Sequence, residues 1–423
     1  MKASTDRILT THVGSLPRPD DLFEMMLSRM DGKAVDTAAY AARVQRAVDE
    51  SVRQQVDVGL DIVSDGEMGK PSFITYAASR LDGLTSREGS RPSPFATSRE
   101  TIAFPDYYES ALAQQVTARR RRALTVCTGP IKYKGHAALK ADLAVLKSAL
   151  AKVTAAEAFV PAIAPSNVEA TTPNEYYPTE EAYVFAIAEA MREEYKAIID
   201  AGFVLQIDDP FLVTYYITRP DLDIAACRKW AELRVEALNS ALAGIPEDRV
   251  RFHTCYSINM GPRIHDMQLK DIVDIILKVR AGAYSFEASN PRHEHEWEDW
   301  KRAKIPDGKI LIPGVITQST VLVEHPELVA QRLERYASIV GRERVIAGAD
   351  CGFARGRSTR RARRPPRWRR DLRGCGAAGG AASAVEVLRC QSWSWHRQCR
   401  PSGPARIRTS PETHPELLPQ WST

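Results

Sequence analysis

The sequence predicts an α/β protein built as a (β/α)₈ TIM-type barrel, with its chemistry at the C-terminal ends of the strands. Three observations predict it. From about residue 8 to 351, short β-branched runs alternate with longer amphipathic stretches, which is the pattern of parallel strands wrapped by helices. Nine such runs are present, one more than a closed eight-stranded barrel needs, so one belongs to a hairpin or cap. Polar residues gather where the runs end, and that is where barrel enzymes place their reactive groups. A doubly wound open sheet is the alternative arrangement of the same pattern.

Taken in order, ILTTHV (8–13) is the first strand and leads to Ser15. Residues 37–58 carry apolar side chains at three- and four-residue steps, which predicts a helix that stops at Gly59. DIVSDGE (61–67) gives a short strand, then a loop with Asp65 and Glu67. Residues 84–123 differ. SREGSRPSPFATSRE is polar and rich in Pro and Ser, and ARRRR (118–122) follows. At about 40 residues this exceeds an ordinary βα loop and reads as a lid or a disordered insert. Strand-like runs recur at ALTVCTGP, AEAFVPAIAP, GFVLQIDDP, VRFHTCYS, AYSFEASN, KILIPGV and RVIAGADCG. Helical stretches lie between them at 137–154, 178–200, 219–243, 268–281 and 324–340. The polar strand ends are Ser15, Asp65, Glu67, Asp208, Asp209, His253, Cys255, Glu287, Asp350 and Cys351.

Residues 1–355 thus form one barrel unit, and residues 356–423 form a separate tail. The tail holds 14 Arg, no Lys and four acids, a net +10, whereas the rest of the chain has 44 basic and 49 acidic residues. The overall charge of +5 therefore belongs to the tail, and the body gives no reason to expect nucleic acid as a partner. Within the tail Lys disappears while Arg, Trp, Cys, Gly and Pro rise together, without helical or strand register. That composition reads as a reading frame translated out of register, expected to be disordered; a nucleic-acid-binding tail is the other reading.

Composition narrows the class further. With 44 % apolar and 26 % charged residues the chain can build a sizeable core. No apolar run reaches 18 residues, so no membrane span is expected, and the N-terminus MKASTDRILTTHVGS lacks the apolar region of a signal peptide. Seven cysteines in 423 residues do not make a disulfide scaffold and fit a cytoplasmic location.

The chemistry is written at His253-Thr254-Cys255. In a strand, residues i and i+2 point to the same face, so imidazole and thiolate converge on one ion. Alone, H-x-C is equally the pattern of a buried cysteine beside a strand-end histidine. Two further strand ends, Glu287 and Cys351, change that reading. A barrel brings His253, Cys255, Glu287 and Cys351 to one mouth, and two thiolates, one imidazole and one carboxylate form a tetrahedral Zn²⁺ set. Two sulfur ligands make zinc a poor activator of water and suit it to a substrate thiol, which coordination deprotonates. The reaction implied is S-alkylation, with a small-molecule thiol and an alkyl donor as partners. A metal-free decarboxylase-like barrel is a competing enzyme class, and the ligand set counts against it.

THVGSLPRP, DIVSDGEMGK, QIDDP, HTCYS, SFEASN, PGVITQS and GADCGF together resemble the cobalamin-independent methionine synthase family, in its catalytic C-terminal barrel, over residues 8–354. The resemblance implies a zinc-bearing (β/α)₈ barrel that transfers a methyl group to homocysteine, as a 5-methyltetrahydropteroyltriglutamate–homocysteine S-methyltransferase does. It carries zinc onto His253, Cys255, Glu287 and Cys351. The family's amino-acid pocket, an I-G-S strand end with a Glu in H-G-E and an Asp in I-D-E-P, falls on Val13, Gly14, Ser15, Glu67 and Asp208. Strand-end capping is the plain alternative for these acids. One departure bears on the donor. The family has D-x-H after its P-G-V strand, the His a candidate general acid, and here the run is PGVITQS, with Gln318 near that place. No catalytic acid is therefore assigned. YSFEASNPRHEHEWEDW and IPGVITQSTVLVEHPELVAQR look closer to the epoxyalkane:coenzyme M transferases, which imply opening of an epoxide by a zinc-activated thiol.

His293 and His295 resemble a metal pair, but at i and i+2 of a helix start they diverge, and a surface or packing role is expected. Cys127 and Cys227 read as buried, inert thiols.

Overall fold

In the computed structural model, which describes residues 1–87, 96–110, 124–256, 261–319 and 323–354, the alternation of the sequence becomes a curled parallel sheet with helices outside it. The described strands are β1 (Leu9–Thr10), β2 (Ile62–Val63), β3 (Leu81–Arg87), β4 (Leu124–Tyr133), β5 (Glu157–Ile163), β6 (Val204–Asp208), β7 (Val250–His253), β8 (Ala283–Glu287), β9 (Ile310–Gly314) and β10 (Ile346–Ala347). The described α-helices are α1 (Asp20–Met30), α2 (Thr37–Asp57), α3 (Thr75–Arg80), α4 (Arg99–Ala103), α5 (His136–Leu150), α6 (Pro165–Thr171), α7 (Glu180–Asp200), α8 (Phe211–Thr218), α9 (Ile224–Ala241), α10 (Val273–Ile276), α11 (Trp297–Arg302) and α12 (Pro326–Val340).

The sheet runs β2-β5-β6-β7-β8-β9, every pair parallel, and β1 pairs in parallel with β10. The β1–β10 pair meets both edges of the larger sheet. On one side Leu311 bridges Val345 and Gly314 bridges Gly348; on the other the Asp61 N–H donates to the Thr10 carbonyl at 3.2 Å. Ile62, Phe159, Val204, Ala283, Ile310, Ile312 and Ile346, drawn from six strands, form one buried cluster. The larger cluster lies between the strands and the helices. Each fully buried Ile or Phe contributes roughly 1.5–3 kcal/mol.

Helices begin where the sequence supplies caps. Asp36 accepts from Ala38 and Ala39 at the start of α2, Thr179 from Ala182 at α7, and Asp223 from Ala226 at α9. Tyr183, Val184, Ile187, Met191, Tyr195 and Ile198 recur at three- and four-residue steps along α7 and are all buried, so this face packs on the strands.

The surplus ninth run is resolved. β4, which contains LTVCTGP, pairs antiparallel with β3 from Leu81↔Tyr133 to Arg87↔Leu124, outside the parallel sheet. Within the stretch 84–123, Leu84–Arg87 belong to the β3–β4 ladder, and Arg99–Ala103 form α4 with Glu100 fully buried. Residues 88–95 and 111–123, including Arg119–Arg122, lie outside the described residues, as does the tail 356–423. The helix expected over 268–281 is broken into a 3₁₀ turn at Leu269–Asp271 and the single turn α10. Ile272 at φ −141° interrupts it, and Leu269, Ile272, Ile275, Ile276 and Val279 are buried around more than one side.

Candidate metal centre

β7 ends at His253, and the next two residues extend past the sheet. The Thr254 N–H donates to the Ser285 carbonyl at 3.0 Å, and its hydroxyl to the Asp209 carbonyl at 2.8 Å, which pins the segment between β6 and β8. His253, Cys255 and Cys351 come together there, with their ligand atoms all within 4.8 Å of one another. The two sulfurs lie 3.5 Å apart. Cys351 reaches this place because β10 runs close to its neighbours. A Cβ at Gly314 would overlap Asp350, and one at Gly352 would stand 2.9 Å from the Ser15 Cβ. The Asp350 Oδ1 accepts from the Ala288 and Ser289 N–H groups at 2.7 and 3.0 Å, fixing this strand end to the loop after β8.

The three groups suit a soft divalent cation. Burial, with the Arg251 charge nearby, lowers His253 to about 3, so its imidazole is neutral. Its Nδ1 meets the Ser285 hydroxyl at 3.1 Å, which leaves Nε2 buried with no hydrogen-bond partner. An orphaned imidazole nitrogen, oriented by a bond at its other nitrogen, is what a metal-ligating histidine presents. A sulfur pair on one tetrahedral zinc would be separated by about 3.8 Å at ordinary Zn–S lengths, close to the spacing here.

Glu287 stands outside this three-residue group. Its Oε1 accepts from the Tyr256 N–H at 2.9 Å and its Oε2 from the Asn290 amide at 2.7 Å. Burial raises its proton affinity, opposed by the Asn290 bond. The carboxylate is thus beside the sulfurs' strand ends but tied to its own loop.

The expected amino-acid pocket adjoins the metal group. The Ser15 carbonyl accepts from the Phe353 and Ala354 N–H groups at 2.8 and 3.2 Å, lacing the end of the first strand to the segment after Cys351. Gly14 has φ +142°, a conformation that favours glycine, and a Cβ there would lie 2.8 Å from Pro161 and 4.0 Å from the Glu67 carboxyl carbon. Val13 lends its carbonyl to Gln206. Glu67 is buried at φ +55°, its N–H on Asp65 and its Oε1 without a hydrogen-bond partner, with the Lys70 ammonium 3.9 Å away. Asp208 is also buried. Burial first, and the Glu67 charge second, hold its carboxyl well above the usual range. Glu67 and Asp208 thus form a buried acid pair, with the Lys70 ammonium already beside Glu67.

The structure separates the two remaining histidines. His293 is buried and stacks flat on Tyr256, with centroids 3.6 Å apart, while His295 is exposed. Cys127 and Cys227 are buried, and burial pushes the Cys227 thiol up to about 11. At the end of β9, Thr317 and Gln318 are buried. Sequence reading missed Ser285, Asn290, Gln206 and Arg251. Ser285 and Gln206 stand two residues before Glu287 and Asp208 on the same strands, so the period of two already placed them on the site's face. Asn290 gave no such signal.

The curled parallel α/β sheet, with paired acids and a His/Cys/Cys group that could hold a metal ion at its strand ends, has the layout of an α/β enzyme, and comparison with known proteins narrows the class. The family model for the cobalamin-independent synthase catalytic domain matches residues 8–101 and 106–364. The chain belongs to that family. It is 24 % identical over 345 residues to a methionine synthase of Pyrococcus furiosus, covering 81 % of this chain and 86 % of that one. A methionine synthase of Sulfolobus acidocaldarius is 26 % identical over 350 residues, with 81 % and 85 % covered. The fold resembles the structure of a B12-independent methionine synthase from Shewanella sp. W3-18-1 in complex with selenomethionine, with TM-score 0.65, 18 % identity, and 91 % and 98 % of the two chains covered.

Proposed function

We propose that this chain is a zinc-dependent thiol S-alkyltransferase that methylates homocysteine or a similar amino-thiol, on a sheet that closes as a (β/α)₈ barrel. The observation that carries the reading is the meeting of a His253 ring nitrogen with the Cys255 and Cys351 sulfurs, in an imidazole whose Nε2 has no hydrogen-bond partner. The names of the relatives agree with it. His253, Cys255 and Cys351 would hold zinc, with Glu287 as a fourth ligand able to add or withdraw. Zinc there supplies a soft cation that takes up a thiol sulfur and favours its deprotonated form.

The chain's other residues position the acceptor. Glu67 and Asp208 take its ammonium, and Ser15 with the Val13–Gly14 backbone takes its carboxylate. Holding the amino-acid end fixes the sulfur over the strand ends, which replaces a search in solution by a set geometry. Gln318, an amide, cannot give a proton to a leaving group, so a folate amine is disfavoured as the donor relative to one whose leaving group needs no protonation.

The test is zinc content measured beside a screen of thiols and donors. Purified protein is expected to hold about one zinc, and Cys255→Ser or Cys351→Ser to lose most of it, because a hydroxyl does not replace a thiolate. Full occupancy in both variants overturns the metal assignment. The donor screen includes a methyl-folate, a sulfonium and an epoxide with coenzyme M. Turnover confined to the epoxide arm would move the chain to epoxide opening while leaving the metal centre in place.

A further inference from the structure

Behind the acid pair lies a chain of donors that neither the ligand set nor the expected pocket includes. Arg251 on β7 is almost wholly buried, 1 % exposed, with its guanidinium 3.8 Å over the Phe159 ring. Its Nε donates to the Gln206 Oε1 at 2.6 Å, one terminal nitrogen to the Thr11 hydroxyl at 3.0 Å, and the other to the His12 carbonyl at 2.6 Å. Gln206 is fully buried and sits on β6, two residues before Asp208. Its amide nitrogen donates to the Asp208 Oδ1 at 2.6 Å and to the Val13 carbonyl.

The direction of this chain is fixed by chemistry. A guanidinium has donors only, so the Gln206 oxygen must face Arg251. The amide nitrogen must then face Asp208 and Val13, and a flipped amide would set N–H against N–H. Asp208 therefore receives a donor at Oδ1 from inside the sheet, and its remaining acceptor capacity is directed elsewhere. The same amide grips Val13, the residue that precedes Gly14 and Ser15.

We propose that Arg251 and Gln206 are positioning residues for the acceptor's amino group: Arg251 sets the Gln206 amide, and Gln206 sets both Asp208 and the Val13–Gly14–Ser15 strand end. This rests on the proposed amino-thiol reading of the site and goes beyond it, because it assigns selectivity for an α-amino thiol to two residues that do not touch the thiol. A thiol with neither an amino nor a carboxylate group makes no use of the relay.

The experiment compares homocysteine with propane-1-thiol, which has neither an amino nor a carboxylate group, as acceptors in the zinc-loaded enzyme, for wild type, Gln206→Met, Arg251→Met and Arg251→Lys. Gln206→Met and Arg251→Met are expected to raise KM for homocysteine about tenfold or more, the cost of a lost bond to a charged group. The value of kcat should change less, and KM for propane-1-thiol should hardly move. Arg251→Lys, which keeps a donor toward Gln206, should recover part of the selectivity. Equal losses for both thiols, or unchanged selectivity, overturn the relay. A wild type that alkylates neither thiol overturns the functional reading instead. The relay is then judged by the crystal structure of Gln206→Met, which is expected to show Asp208 turned and Val13 displaced; both in their places would overturn it.

Discussion

At the scale of single residues, His293 has the strongest claim to a measurable effect. Burial by itself would lower its proton affinity, but hydrogen bonds to Asp266 and Glu296, at 3.3 and 3.0 Å, raise it to about 9. The folded state therefore holds this proton more tightly than the unfolded chain, whose histidine titrates near 6.5. The stability gained is fully present below about pH 6.5 and is lost as pH rises through about 9, at most about 3 kcal/mol. Urea midpoints between pH 6 and 9.5 are expected to fall for wild type and to fall less for His293→Gln. Parallel curves for the two proteins would show that His293 is not the titrating group. The buried side of the pair was legible in advance only as divergence of His293 from His295. What made His293 charged is tertiary: Asp266 lies 27 positions away in the chain. Residues on one strand were easier to read. His253 and Cys255 share a face by the period of two, and the same rule would have reached Ser285 and Gln206 had it been applied backward from Glu287 and Asp208.

At the scale of elements, α4 is held by its charged side chains: Arg99 donates to the Tyr216 and Arg219 carbonyls at 2.9 and 3.2 Å, and Glu100 ties the helix to a second segment. Glu100 is fully buried, and its carboxylate accepts from the Ile264 N–H at 3.0 Å and the His265 N–H at 2.6 Å, with the His265 Nδ1 3.3 Å away. The Tyr108 hydroxyl adds a bond to the Pro262 carbonyl at 2.8 Å. These contacts clasp the segment around α4 onto residues 262–265, which follow Cys255 in the chain. Glu100→Ala leaves two backbone N–H groups without their acceptor and is expected to cost about 2–4 kcal/mol of local stability. Hydrogen exchange at Ile264 and His265 should accelerate about 30-fold or more, while exchange in β5 and β6 stays unchanged; equal protection in the variant and wild type would remove the clasp from the account. The polar, Pro- and Ser-rich sequence from 84 to 123 suggested no such order, because a fixed segment is expected to show apolar periodicity and this one is fixed by a buried carboxylate. The strands and long helices were readable because each repeats its burial pattern locally, as α7 does. The 268–281 stretch was not, since it is buried on several sides and loses the period that distinguishes a helix.

At the scale of the whole molecule, the question is what makes ten short pieces of strand one structure. β1 and β2 are two residues long each, too short to be stable by ladder bonds alone. Asp61 joins them. Its Oδ2 accepts from the Thr10 N–H and the Thr10 hydroxyl, both at 2.9 Å, and from Arg7 at 2.7 Å. Its own N–H donates to the Thr10 carbonyl at 3.2 Å, and its carbonyl accepts from the Ala156 N–H at 2.9 Å, just ahead of β5. One residue thus ties the first strand to the second and to the next in the sheet. The N-terminal stretch does the same on the far side, where the Ser4 N–H donates to the Glu343 carbonyl at 3.0 Å and its hydroxyl to the Val345 carbonyl at 2.6 Å. If the sheet closes through these seams, weakening one seam weakens the entire fold, not a corner of it. Asp61→Ala leaves the buried Thr10 N–H without its acceptor, while the Thr10 hydroxyl keeps the Gly59 carbonyl at 3.1 Å, and is expected to cost about 1–3 kcal/mol. Asp61→Asn keeps an oxygen toward Thr10 and loses mainly the half-exposed pairing with Arg7, about 1 kcal/mol or less. Urea unfolding followed by tryptophan fluorescence and far-ultraviolet dichroism is expected to show one transition in each variant, its midpoint lowered in the order Asn then Ala with the slope unchanged. Two transitions, with only the first moved by Asp61→Ala, would mean that β1 and its seam detach from a sheet that stands without them.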